Sequence, residues 1–264
     1  PSVVVENKPG AGGRLALEAA KNAEPDGTVM VITPGDQIAL FPHVFKGLPY
    51  DALKDFVPVT TVCSLQFVLA IGPLVPTEVR TLSDFVAWAK ANPDKANYGS
   101  PASIFQMTAE MFNMQMGTKF VHIPFKSSGE VIAALQNGQV SMAFIDAAPL
   151  MAQVNAGRLR VLATTGAKRW LDLPSAPTMQ EVGVKGVEVE AFSAIVGPNG
   201  IAPAIVKRLE TEANLVLKSP EVVERFGKMG LVVVGGTAEA FGAKVARELP
   251  RWKQAAKDAK IKLD

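Results

Sequence analysis

The chain has almost no cysteine: Cys63 is the only one, so no intramolecular disulfide can form. A reducing compartment favours such a composition, although a chain this long needs no disulfide staples in any compartment. Histidine is nearly as scarce. His43 and His122 are the only two, and neither stands at metal-ligand spacing from a second histidine or a cysteine. No metal site is therefore expected. No apolar run approaches the roughly 18 residues of a membrane span. Charge of either sign is not in excess: 27 basic against 25 acidic residues give a net charge of +2. That balance leaves no electrostatic footprint for nucleic acid or an acidic membrane surface. The most basic run, residues 251–262, is interleaved with Asp258 and reads as the solvated face of a terminal helix. A Gly-Lys-Ser/Thr phosphate loop and a G-x-S-x-G elbow are both missing. Neither a low-complexity linker nor a solenoid repeat is present. No leader-like segment opens the sequence; "SVVVEN" reads as a strand in the middle of a domain.

What is there suits one large or two medium domains. The 264 residues are 48% hydrophobic and 20% charged, close to ordinary globular values. Short β-branched runs predict strands over residues 3–6, 28–33, 67–71, 119–123, 140–145, 159–164, 189–196 and 231–234. Helical patterns fall between them, over residues 14–23, 81–91, 103–116, 127–136 and 203–217. Two more follow Pro220 and Thr237, the last bent near Pro250. Thr81 and Asp84 have capping-box spacing, and Pro203 falls in a first turn. Alternating strands and helices predict an α/β fold with mostly parallel sheets. Residues 64–72 and 188–198 are near-continuous strands able to carry the chain between domains. They predict a two-strand hinge joining an outer lobe, residues 1–68 and 193–264, to an inner lobe, residues 69–192.

Four strand ends combine small and polar residues, and open α/β sheets bind ligands beyond the carboxyl ends of their strands. In "YGSPASIFQ", Gly99 admits close backbone approach, Ser100 and Ser103 offer hydroxyls, and a helix start offers unpaired amides to an anion. Ser103 is also a natural helix N-cap. Neither histidine has a compelling claim as a base for a catalytic serine here. "PFKSSGEV" repeats the pattern with Lys126, Ser127 and Ser128, and "VITPGDQ" with Thr33, Gly35 and Asp36. In "AFIDAAPL", Asp146 reads either as a helix cap or as an acceptor for a ligand amine or hydroxyl. The glycines at positions 10, 12 and 13 serve a tight turn, an anion contact or a nucleotide; the acidic ribose partner of a dinucleotide site is not evident. No catalytic pair of carboxylates or Cys–His pair appears at these ends, so binding outranks chemistry.

The phrases "VVVENKPGAGG", "EPDGTVMVITPG", "GLPYDALKDFVPVTTV", "NYGSP", "HIPFKSSGEVIAALQNGQVSMAFID", "AGRLRVLATTGAKRWLDLPSAPTMQEVG" and "PNGIAP" span essentially the whole chain. In that order they resemble the solute-binding proteins of tripartite tricarboxylate transporters, the TctC or Bug family. The resemblance implies a periplasmic, two-lobed, type II Venus flytrap fold with no catalysis and no cofactor. It implies a small carboxylate ligand (a di- or tricarboxylate, an acidic amino acid or an aromatic acid) delivered to a membrane permease. It further implies that amides, hydroxyls and ordered water hold the carboxylate. On that basis Ser100, Ala102 and Ser103 are expected to face it from one lobe, and Thr33 and Gly35 from the other. Lys126, Ser127 and Ser128 would hold a second polar group, Asp146 would select an amine or hydroxyl, and Phe192 would pack on the carbon skeleton.

Closure would then sequester the ligand in a monomeric receptor, and the closed form would dock on the permease. The sequence departs from the family pattern in three places. It begins after an additional strand and helix, bearing a Pro-Pro-Gly-Gly-like loop, that members usually carry. Gln106 stands about where a histidine is usual, after a loop shortened to "PAS", and Asp36-Gln37 replaces a Thr-His pair. An acid at position 36 opposes a carboxylate if it faces one. The rival expectations are an enzyme acting on a small carboxylate at the same residues, and a truncated homologue with impaired binding.

Overall fold

The computed structural model describes residues 2–263. It divides into two compact units, Pro1–Ser64 with Phe192–Asp264 (unit 1) and Leu65–Ala191 (unit 2). The chain passes between them within two strands, β2 (Phe56–Ile71) and β7 (Glu190–Pro198). Phe192 thus belongs to unit 1, whereas the sequence reading makes it the last residue of the inner lobe.

In unit 1, β1 (Val31–Pro34) pairs antiparallel with β7, Val31 opposite Val196 and Pro34 opposite Ser193. The first half of β2 pairs antiparallel with β8 (Val232–Gly235). Among the described residues, six α-helices complete the unit: α1 (Arg14–Lys21), α2 (Gly35–Ala39), α3 (Phe41–Val44), α8 (Pro203–Leu217), α9 (Pro220–Lys228) and α10 (Ala238–Ala259). Leu17, Ile38, Tyr50, Phe56, Phe192 and Phe241 pack together in its core. Pro250 lies inside α10 without ending it.

In unit 2, the second half of β2 is flanked by β5 (Met142–Asp146) and β6 (Arg160–Thr164), both antiparallel to it. Beyond β5 come β3 (Asn97–Ser100) and β4 (Val121–Pro124), in parallel register. Four helices belong here: α4 (Leu82–Ala91), α5 (Ser103–Met116), α6 (Ser128–Gln136) and α7 (Ala147–Asn155). Phe67–Ile71 is buried throughout, which is why that stretch reads as a continuous apolar run. Thr81 caps α4 by accepting from the Asp84 N–H at 3.1 Å, and Asp84 Oδ2 accepts from the Thr81 N–H at 3.0 Å.

The α/β class holds, but the sheets are mixed rather than mostly parallel. Parallel pairing joins β3 to β4 and to β5, whereas the registered pairs of β2, and that of β1 with β7, run antiparallel. The cause is topological: β2 enters each sheet as a long crossing strand, not through a helical crossover. Residues 3–6, which the sequence reads as a strand, form none. Val3, Val4 and Val5 are 89%, 79% and 83% exposed; β propensity without a partner strand makes no strand.

Candidate functional site

In unit 2, β3 delivers Ser100 to the start of α5. The N-cap of that helix is Ala102, not Ser103; its backbone is extended (φ −153°, ψ 160°) and its methyl accepts nothing. Ser103 is the first helical residue. The first-turn amides of α5 thus lack a side-chain cap, whereas α6 is capped by Ser127 and α10 by Thr237.

The Ser100 hydroxyl itself is committed. Its Oγ lies 2.7 Å from His122 Nε2, and Ser100 is only 4% exposed. The parallel register sets Tyr98 opposite His122, with ring centroids 5.1 Å apart. Tyr98 and Ser100 are two residues apart and share that sheet face. Burial pushes the His122 pKa down, and the Glu110 carboxylate opposes the shift. Glu110 accepts from Tyr98 Oη at 2.7 Å and from Asn113 Nδ2 at 3.1 Å. The register thus brings His122 within hydrogen-bond distance of Ser100, a proximity the sequence reading does not anticipate. A serine within hydrogen-bond reach of an imidazole is the first requirement of nucleophilic catalysis. No signal in the sequence announced it, because the two residues meet only through strand register.

The remaining strand ends of unit 2 divide between structural and open groups. A Cβ on Gly99 would come within 2.9 Å of the Phe125 ring and 3.2 Å of Val131, so this glycine serves packing, not ligand approach. Ser127 Oγ accepts from the Glu130 N–H at 3.3 Å while Glu130 Oε2 accepts from the Lys126 N–H at 3.1 Å. Ser127 is therefore a cap, and Lys126 is exposed beside it. Ser128 hydrogen-bonds the half-buried Asp146 carboxyl, whose pKa is raised by burial and lowered by that bond. Asp146 occupies the N-cap position of α7 without a side-chain cap bond. Gln106 is half-buried in the first turn of α5.

In unit 1, Thr33 is buried and donates to Gln37 Oε1 at 2.8 Å. Gln37 Nε2 donates to Gly12 O at 2.8 Å, and Tyr50 Oη donates to Gln37 O at 2.7 Å. Gln37, read from the sequence only as a departure, ties the strand end to the glycine turn. That turn has positive φ at Gly10, Ala11, Gly12 and Gly13, and a Cβ on Gly13 would sit 2.1 Å from Gln37 Nε2. The glycines thus answer to turn geometry and close approach. Gly35 is equally constrained: a Cβ there would lie 2.3 Å from the Phe192 ring.

Phe192 is 5% exposed, makes an edge contact with Phe241 at 6.0 Å, and carries the Lys244 ammonium 4.3 Å from its centroid. It packs as a core residue of unit 1. Asp36 is half-buried in the first turn of α2. Its carboxyl accepts from its own N–H and that of Gln37, yet burial outweighs both and raises its pKa to about 6.

Among the described residues, no cluster of three or more His, Cys, Asp or Glu side chains could hold a metal ion. No helix among them is long and apolar enough to cross a membrane.

Two α/β units joined through crossing strands are also the architecture of solved periplasmic binding proteins. Solved structures agree. The chain is similar to "R. palustris Rpa4515 with adipate" (TM-score 0.87, 28% identity, 98% of this chain and 87% of that one). It is similar to "Structure of a periplasmic transporter" (TM-score 0.87, 32% identity, 99% and 87%). It is also similar to the periplasmic binding protein BugD (TM-score 0.84, 26% identity, 98% and 87%). The family model described as "Tripartite tricarboxylate transporter family receptor" matches residues 1–261, and the chain belongs to that family. Among curated relatives, the UPF0065 protein in the gbd 5' region of Cupriavidus necator is 34% identical over 237 residues, 87% of this chain and 69% of the relative. Protein BugT of Bordetella pertussis is 29% identical over 264 residues, 99% and 80% respectively.

Proposed function

We propose that this protein is the periplasmic receptor of a tripartite transporter, capturing a small organic carboxylate and delivering it, as a monomer, to membrane permease subunits. The observation that carries the reading is the family match across residues 1–261. The pairing of the similar protein Rpa4515 with adipate, a dicarboxylate, agrees with it. In unit 2 the first-turn amides of α5, at Ala102 and Ser103, hold the carboxylate, because they combine unpaired N–H groups with the positive end of a helix. Lys126, Ser128 and Asp146 serve further polar groups of the ligand. The test is a thermal-shift panel of di- and tricarboxylates, acidic amino acids and aromatic acids. A ligand at about a hundredfold excess over its Kd adds about 2.7 kcal/mol. A shift confined to one acid class supports the receptor reading; a flat panel overturns it.

The Ser100–His122 pair favours a second reading: Ser100 Oγ attacks an activated carboxylic ester while His122 takes its proton, the ester C–O bond breaks, the alcohol leaves with that proton, and water then hydrolyses the acyl-serine. Hydrolysis of an activated ester that disappears in Ser100→Ala would support it. Its absence leaves the receptor reading alone.

A further inference from the structure

We propose that the groove between α8 and the free edge of β8 is a peptide-binding site, where a short extended segment of a partner protein adds a strand to β8 and sets a carboxylate on Lys218. The site lies wholly within unit 1 and goes beyond the receptor reading, which it does not require.

β8 pairs with β2 on one side, and among the described residues no strand pairs with the other. Alternate residues of an antiparallel strand direct N–H and C=O away from the neighbour, so β8 offers backbone groups to an incoming strand. Its sequence, Val-Val-Val-Gly, carries none of the charges or prolines that protect many sheet edges. Beside that edge a groove of about 460 Å³ runs along α8, a volume in the range of ligand pockets. Glu210, Asn214 and Lys218 stand at four-residue spacing on its helical wall. Leu215 and Val234, 62% and 47% exposed, supply apolar surface from the two walls.

The groove is already formed. Asn214 Oδ1 accepts from the Gly236 N–H at 2.7 Å, and Asn214 Nδ2 donates to Gly236 O at 2.9 Å. Gly235 and Gly236 have positive φ, and a Cβ on Gly235 would lie 2.5 Å from Asn214 Oδ1. Glu210 accepts from Lys207 Nζ at 2.6 Å and from the Ala238 N–H at 2.9 Å. Lys218, two turns beyond Glu210, is exposed and pairs with no carboxylate among the described residues. One end of the groove is thus neutralised and the other cationic, which suits an acidic side chain or a carboxyl terminus at Lys218. The size of the edge selects a peptide over a second copy of this chain. Four strand residues span about 13 Å, a strip too small for the roughly 800 Å² that each partner of a stable dimer buries. Backbone pairing at a sheet edge, with alternate side chains read by a neighbouring groove, is a general mode of peptide recognition.

The test is fluorescence anisotropy of the full chain with a fluorescein-labelled hexapeptide, Val-Thr-Val-Thr-Val-Asp, with amide hydrogen exchange of residues 231–236 followed in the same mixtures. Saturable one-to-one binding that slows exchange in β8 is expected. Two peptides N-methylated at alternate nitrogens, one in each register, should differ at least about tenfold, because only one register faces the strand. Lys218→Gln should weaken binding about threefold. Leu215→Glu, an exposed change with the fold checked by circular dichroism, should weaken it at least about tenfold by removing apolar surface and repelling the carboxylate. No binding, equal affinity of the two N-methylated peptides, or unchanged exchange in β8 overturns the proposal. Self-association of the chain in sedimentation that Leu215→Glu abolishes also overturns it, in favour of a second copy. Either failure leaves the receptor reading standing.

Discussion

Ser100 Oγ and His122 Nε2 lie 2.7 Å apart across two parallel strands of unit 2. The hydroxyl is thereby turned toward the adjacent strand, and the proposed function accordingly assigns the anion to the amides of α5 rather than to Ser100 Oγ. Ser100→Ala leaves the imidazole nitrogen unpaired and should cost about 1–2 kcal/mol in urea denaturation. Ligand affinity by calorimetry should stay within about threefold, under 1 kcal/mol. A collapse of affinity at unchanged stability would place the hydroxyl on the ligand instead.

His122 also gives stability a pH dependence. Burial depresses its folded pKa below the ordinary 6.5, so its contribution is full above that value and is lost as pH falls through the depressed one. Urea midpoints should fall between pH 7 and 5, and His122→Gln should flatten the profile. A profile unchanged by that substitution contradicts the assignment.

Asp36 acts with the opposite sign. Its folded pKa, about 6, is raised from 3.8, so the stability linked to its proton is present below 3.8 and lost as pH rises through 6. Asp36→Asn should therefore stabilise the ligand-free protein by about 1–2 kcal/mol at pH 8 and by nothing measurable at pH 3.5. Denaturation curves at the two pH values check it; equal effects at both would mean the carboxyl is not desolvated.

Gly35 and Phe192 form a testable contact in unit 1. Gly35→Ala puts a methyl into the Phe192 ring and should destabilise by about 1–3 kcal/mol. In the Phe192→Leu background the penalty should shrink, giving a coupling of about 1 kcal/mol or more in the double-mutant cycle. Additive effects would separate the two sites.

Asn113 closes the turn from α5 to β4. It donates to Glu110 Oε2 and Phe120 O, both at 3.1 Å, and accepts at Oδ1 from Thr118 Oγ1 and the Phe120 N–H, both at 2.9 Å. Asn113→Ala should cost about 2–4 kcal/mol, because it leaves several buried partners unpaired. A loss under about 0.5 kcal/mol, the range of ordinary surface changes, would contradict this reading.

Much of the fold is legible from residue pattern. The bounds of α5 and α8 fall at the residues their periodicity and flanking signals indicate, and the Thr81–Asp84 spacing forms the capping box it announces. What escaped reading depends on partners distant in sequence. Residues 3–6 have strand composition but no pairing strand. α7 begins after Asp146, which the sequence reads as a possible helix cap without delimiting the helix that follows. The site was legible as a set of strand ends and not as a set of roles. Gly35, Gly99 and Phe192 combine the residue types of a ligand pocket, yet each is fixed by a packing neighbour that no local pattern reveals. His122 reaches Ser100 only through the register of β3 with β4, and Gln37 reaches the glycine turn only through the fold of unit 1.

The central claim is reversible capture of a small carboxylate without chemical change. The most direct measurement is native mass spectrometry of the protein with the acid panel, with the bound compound released and weighed afterwards. The account predicts a one-to-one complex with one acid class and recovery of that acid at unaltered mass. A released compound of altered mass, or no complex with any acid, would contradict it.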